Sequence, residues 1–193
     1  MTLDASLPRP HIDAYAHVGS PRFGTAKQVV GVMNRWDIDK AVLVLGPNTP
    51  DLDALIQVRR LAGADRVRLM GIPFGNTGAQ RMEMAEKQIE LGISGMRLMP
   101  FELDPAREVI DLLGREGLWL FAINPYQSDD TTRFLLDWLV KHEKGRIASP
   151  HFLLPKTIDE AVDDADLFRE LLSHPRYHAI LSRHGGVGSK EPY

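Results

Sequence analysis

Asp13, Tyr15 and His17 stand at alternate positions of the segment Ile12-Asp13-Ala14-Tyr15-Ala16-His17-Val18-Gly19. A carboxylate, a phenol and an imidazole at a spacing of two belong to one side of a β-strand, because successive side chains on a strand point to opposite faces. On this alternation the three polar groups share one side, and Ile12, Ala14, Ala16 and Val18 share the other. Such a strand, ending in Gly, suits the inner wall of a catalytic barrel. An imidazole can accept or donate a proton near neutral pH, a phenol can donate a hydrogen bond, and a carboxylate can orient either. The chain has no Cys, so no thiolate serves as nucleophile or ligand, and any metal must be held by His and carboxylate.

These groups need a scaffold, and the apolar pattern supplies one. Strand-like runs are expected at 40–45, 67–74, 93–99, 118–123, 146–152 and 177–181, after the first strand at 11–19. Helical spacings fall between them, at 25–36, 51–61, 79–91, 105–115, 131–142 and 164–172. Regular alternation of strand and helix means a parallel sheet with helical crossovers. An open doubly wound sheet would place a Gly-rich phosphate loop directly after a strand, and His17-Val18-Gly19-Ser20-Pro21 is not one. His184-Gly185-Gly186-Val187-Gly188 is Gly-rich but opens no visible helix. The expectation is therefore an α/β fold of the TIM-type (β/α) barrel class, with about seven strands. A complete barrel has eight, so we read 1–193 as a single barrel domain incomplete at its C-terminus, either truncated or closing by self-association.

Composition excludes several classes of function. The 193 residues are 44% hydrophobic and 25% charged with a formal net charge of -3, which describes an ordinary globular domain without the basic footprint of a nucleic-acid binder. No stretch approaches the length of a membrane span and no basic, apolar leader opens the chain, so a cytoplasmic protein with a small-molecule substrate is expected.

Three segments resemble the amidohydrolase superfamily, in particular its amidohydrolase-related (amidohydrolase 2) branch. Ile12-Asp13-Ala14-Tyr15-Ala16-His17 is similar to the first-strand signature Ile-Asp-x-His-x-His, with Tyr15 in place of the first His. Gly92-Ile93-Ser94-Gly95-Met96-Arg97-Leu98 is similar to the Gly-x-x-Gly-x-Arg-Leu of the fourth strand. Ser149-Pro150-His151-Phe152 ends the sixth strand where that family carries a His. The resemblance implies a hydrolase in which activated water attacks the carbonyl of a small polar lactone, amide or related carboxylated compound. It also implies that His17, His151 and Tyr15 are catalytic, that Arg97 and Asn124 bind substrate, and that His17 and His151 are the remaining ligands of a divalent zinc or manganese site. With Tyr15 and Asn124 at positions where relatives have His, that metal is expected to bind weakly or not at all. Two alternatives stay open: a non-catalytic binding or scaffold barrel with a decayed metal site, and a decarboxylase of the same family. His17 and His151 can equally be buried histidines tied to the backbone, and Asp13 is expected to be structural, accepting hydrogen bonds that fix the strand end.

Overall fold

The structure, a computed structural model, describes residues 9–46, 50–123, 128–151, 165–180 and 182. Strands and helices alternate as β1 (Ile12–Val18), α1 (Ala26–Arg35), β2 (Lys40–Leu45), α2 (Leu52–Ala62), β3 (Val67–Gly71), α3 (Gly78–Glu90) and β4 (Gly95–Leu98). After a 3-10 turn at Pro100–Glu102 come α4 (Arg107–Glu116), β5 (Trp119–Ala122), α5 (Asp129–Lys141), β6 (Arg146–Pro150), α6 (Ala165–Ser173) and β7 (Tyr177–Ile180). Side chains set several of the helix starts. Thr25 and Thr77 close capping boxes with Gln28 and Gln80, while Asp51 and Ser128 accept from the amides of Ala54 and Thr131. Ser128 explains why α5 begins earlier than its apolar spacing suggests.

The seven strands form one parallel sheet in the order β1-β2-β3-β4-β5-β6-β7, and among the described residues β1 and β7 each pair on one side only. The sheet curls strongly. The Tyr15 ring on β1 stacks against Phe121 on β5 at 6.4 Å and meets the His151 ring beyond β6 at 5.0 Å, although three or four strands lie between them in the ladder. The architecture is therefore that of an incomplete TIM barrel, as the alternation predicts. No helix among the described residues is long and apolar enough to cross a membrane.

Each strand has an outer and an inner face. Leu43, Leu69, Met96, Leu98, Leu120 and Ile147 face outward into the main core, where Leu55, Val58, Ile110, Leu113, Leu135 and Leu139 of the helices cover them. Inward, Val44, Met70, Phe121 and Ala148 form a smaller cluster bordered by Tyr15, Val42, Trp119 and Ile180. Gly95 lies in this inner row between Met70 and Trp119. A Cβ there would lie 2.7 Å from the Trp119 Cβ and run into its backbone, so only Gly lets β4 and β5 approach at this level.

One expectation about β1 is overturned. Asp13 pairs with Ala41 and Ala16 with Leu43, both outward positions, whereas His17 pairs with the inward Val44. Between them the register shifts, with Ala14 and Tyr15 opposite the single residue Val42. This bulge turns Asp13 outward, beside Gln28, Val29 and Met33 of α1, while Tyr15 and His17 remain on the inner face. The carboxylate accepts from the Tyr15 amide at 3.1 Å, taking up a donor that the irregular ladder would strand. Asp13 thus has the structural hydrogen bond that the sequence suggested, but not on the side that strict alternation requires.

Candidate functional site

Tyr15, His17, Arg97 and His151 come together at the C-terminal ends of their strands, the end at which barrel enzymes carry their chemistry. Tyr15 is the centre of the group. Its ring lies edge-on to His17 and to His151, each at 5.0 Å, and its hydroxyl oxygen accepts from Arg97 Nε at 3.3 Å.

His17 is fixed by its ring nitrogens and by its faces. Nδ1 lies 2.8 Å from the Val44 carbonyl oxygen, which can only accept, so Nδ1 carries the proton and a neutral ring keeps its lone pair on Nε2. Phe23 stacks on the imidazole at 4.6 Å, and the Arg22 guanidinium lies over the Phe23 ring at 5.2 Å. The loop carrying both is held by hydrogen bonds from the Gly19 amide to Gly24 O and from the Phe23 amide to Gly19 O, with Gly19 at φ 123°. Burial, followed by the positive charge of Arg97 and smaller contributions from His151 and Arg22, pushes the His17 pKa below 6.5, although the Val44 bond opposes this. His17 is consequently neutral at pH 7. Tyr15 is shifted the other way: burial raises its phenol above the ordinary value and outweighs the nearby Arg97 cation. It remains a neutral hydroxyl with a proton to give.

Arg97 is 8% exposed and has weak partners for so buried a cation. Nε reaches the Tyr15 oxygen and Nη2 reaches Met99 Sδ at 3.4 Å, while no described Asp or Glu forms an ion pair with it. A buried guanidinium without a carboxylate is costly in an isolated fold and invites an anionic ligand. The guanidinium borders a cavity of about 610 Å³ that Ile72, Phe74, Met99 and Phe101 also line. His151, immediately after β6, adopts a left-handed backbone at φ 63°. For a non-Gly residue this stores roughly 1 to 3 kcal/mol, a cost concentrated at functional positions. Its amide donates to Ser182 Oγ at 2.9 Å, and the same oxygen lies 3.1 Å from Nδ1, so Ser182 holds both backbone and ring.

The group combines a neutral base, a neutral hydroxyl donor and a fixed cation, a set suited to polarising and attacking a carbonyl beside an anchored anion. It does not suit a divalent ion. Among the described residues no three His, Asp or Glu side chains gather as a ligand set, Asp13 faces away, the Tyr15 phenol is not an anion, and the Arg97 cation stands beside it. Asn124 and His184 lie outside the described residues. His142, at the end of α5, is buried against Trp138 and bonded to Asp111 of α4, apart from the group. Phe23 and Ser182 are contributors that the sequence reading missed. Both lie just beyond a strand end, which is the one signal that could have singled them out.

No protein-family model matches the chain, and no curated protein matches it in sequence. Among solved structures it is similar to a probable 2-pyrone-4,6-dicarboxylic acid hydrolase from Acinetobacter baumannii, solved with citric acid bound. The TM-score is 0.63 at 17% identity, over 88% of this chain and 68% of that one. An uncharacterised TIM-barrel protein from Bordetella bronchiseptica gives 0.56 at 13% identity, over 79% and 58% of the two chains. The N-acetylneuraminate lyase of Proteus mirabilis gives 0.53 at 12% identity, over 88% and 62%. The chain thus spans 58% to 68% of these neighbours' lengths, and at such identities the likeness is one of fold: a TIM-type barrel.

Proposed function

We propose that the chain is a hydrolase of the amidohydrolase-related type, acting on the carbonyl of a small carboxylated lactone or amide without a divalent ion. The observation that carries this reading is the convergence of His17, Tyr15 and His151 beside a buried Arg97 that has no carboxylate partner among the described residues. The fold shared with a hydrolase supports it at the level of architecture. In this reading Arg97 anchors the substrate carboxylate. The lone pair on His17 Nε2 takes a proton from water as the oxygen attacks the carbonyl, and the Tyr15 hydroxyl donates to the oxyanion that develops. Phe23 covers the imidazole and keeps it oriented, while His151, set by Ser182, faces the same substrate from across Tyr15. The proton taken by His17 returns to the leaving oxygen or nitrogen, which restores the neutral ring.

Turnover of a panel of small carboxylated lactones and amides tests the proposal, with product identity deciding between ring or amide opening and loss of carbon dioxide. His17→Asn should lower turnover about 100- to 10,000-fold with little change in substrate affinity. Arg97→Gln should chiefly raise KM. Elemental analysis of protein purified without chelator should find well under one equivalent of zinc or manganese. Turnover that survives both substitutions would end the hydrolase reading. The outward turn of Asp13 favours a second reading, a barrel that binds such compounds without converting them, because no described carboxylate then stands beside the imidazoles. Saturable binding with no product from any member of the panel would establish it.

A further inference from the structure

The cavity bordered by Arg97 holds a second arginine whose charge is already used. Arg81, from α3, places Nη1 3.5 Å from Glu102 Oε1 and donates from the same nitrogen to Pro73 O at 3.1 Å. Glu102, at the end of the 3-10 turn, is held from its other oxygen by the Met99 amide at 2.9 Å. Both side chains are largely buried, at 17% and 15% exposure, and both line the cavity with Arg97, Phe74, Met99 and Phe101. Within one cavity there are thus two guanidinium groups, Arg97 without a carboxylate partner among the described residues and Arg81 neutralised by Glu102, with the apolar and aromatic surface of Ile72, Phe74, Met99 and Phe101 around them.

We propose that Glu102 is the specificity-determining residue of this site, and that by occupying Arg81 it restricts the cavity to carboxylates bearing a single negative charge and an apolar body. The inference rests on the proposed role of Arg97 as carboxylate anchor and adds the charge and shape of what is anchored. A monocarboxylate satisfies Arg97 and lays its body against Phe74, Met99 and Phe101. A dicarboxylate brings a second anion toward Glu102, where the Arg81 cation is already paired and where like charge repels it. Discrimination comes from an unfavourable encounter built into the wall as well as from the favourable one at Arg97. Substitution of Glu102 by Gln retains an oxygen to accept from the Met99 amide while removing the charge, so the turn keeps its cap and Arg81 becomes free to bind an anion.

Calorimetric titration of the protein with benzoate and with isophthalate tests the proposal. The unsubstituted protein should bind benzoate more tightly than isophthalate. Glu102→Gln should shift the ratio of the two affinities toward isophthalate by about tenfold, the effect of one charge-assisted contact. Adding Arg81→Gln to that variant should remove the gain. A ratio that Glu102→Gln leaves unmoved in a folded protein overturns the proposal, and so does tighter binding of isophthalate by the unsubstituted chain, a result that needs no variant to fold. Failure of both probes to bind at millimolar concentration also overturns it. Arg97→Gln separates the two layers of the argument. If it abolishes benzoate binding while the Glu102→Gln ratio stays fixed, the anchor stands and the specificity proposal alone falls. If benzoate binding is indifferent to Arg97, the anchor reading falls and takes this proposal with it.

Discussion

The outer and inner faces of the sheet are filled on different principles. Outside, Leu43, Leu69, Met96, Leu98 and Leu120 lie under helices and bring no side-chain hydrogen-bonding group with them. Inside, the apolar residues Val44, Met70, Phe121 and Ala148 make a short plug, beside which the strand ends turn to phenol, imidazole and guanidinium. Apolar packing and polar groups are therefore divided between two sides of the same strands, so that residues adjacent in sequence face opposite surroundings. Arg97 and Leu98 are the sharpest case.

The largest effect should come from testing that pair. Leu98 is fully buried in the outer core, and Leu98→Ala should cost about 2 to 5 kcal/mol of stability, read from denaturant midpoints, because the close-packed helices relax only partly into the space. Arg97→Gln, one residue away, should leave stability unchanged or raise it, since it removes a buried cation with no carboxylate partner among the described residues. If Arg97→Gln destabilises the protein as much as Leu98→Ala, the division between the faces is wrong.

A polar exception on the outer side sharpens the comparison. Gln88 on α3 is fully buried, donates from Nε2 to Ile72 O at 2.7 Å and accepts from the Ile72 amide at 3.2 Å. It ties the helix to the backbone just beyond β3, which ends at Gly71, and Ile72 is itself part of the cavity wall. Gln88→Leu should cost about 1 to 3 kcal/mol, the penalty of leaving the buried Ile72 amide unsatisfied, while the Ile72 carbonyl keeps the Phe74 amide at 3.0 Å. It should also weaken benzoate binding by letting that wall move. Hydrogen exchange at the Ile72 amide would report the first effect directly, and unchanged protection there would show that Gln88 merely fills space.

The fold was legible because its signal is distributed. Runs such as Lys-Ala-Val-Leu-Val-Leu at 40–45 and the spaced apolar residues of the helices repeat the same alternation along the chain, and no single residue decides it. The site was legible only in part. Strand ends pointed to His17, Arg97 and His151, and the structure brings these together with Tyr15, but the face of Asp13 was misread because periodicity assumes an uninterrupted ladder. A bulge of one residue reverses that assignment and leaves no trace in composition. Ser182 and the pairing of Arg81 with Glu102 were invisible for a related reason: each is a contact between segments distant in sequence that neither residue type nor local spacing encodes, while Phe23 reaches His17 through the turn of the loop after β1, which composition does not specify.

A smaller effect should mark the bulge. Asp13→Ala removes the acceptor of the Tyr15 amide and should cost about 0.5 to 1.5 kcal/mol, whereas Asp13→Asn keeps an acceptor and should cost less. Turnover should follow stability in this pair, falling only as far as Tyr15 is displaced. If Asp13→Asn keeps full stability yet abolishes turnover, the carboxylate takes part in the reaction and its outward placement is not the reacting one.

The smallest effect concerns pH, and it isolates the inner face from the outer one. His17 is held below its ordinary pKa, by burial first and then by the Arg97 charge, so the folded protein resists a proton that the unfolded chain accepts near 6.5. Above that value both states are neutral at this residue and its contribution to stability is complete. As the pH falls below it, the unfolded state gains a proton first, and the contribution is lost until the folded-state pKa is reached. His174 and His178 are shifted in the same direction and blur the profile of the unsubstituted protein, but His17→Asn leaves both in place. Denaturant midpoints at about pH 8 and about pH 5 should therefore fall further for the unsubstituted protein than for His17→Asn. Turnover, in turn, should persist somewhat below pH 6.5, because the ring remains an unprotonated base there. Equal losses of stability in the two proteins would mean that the imidazole takes its proton as readily folded as unfolded, and that the inner face does not shelter it.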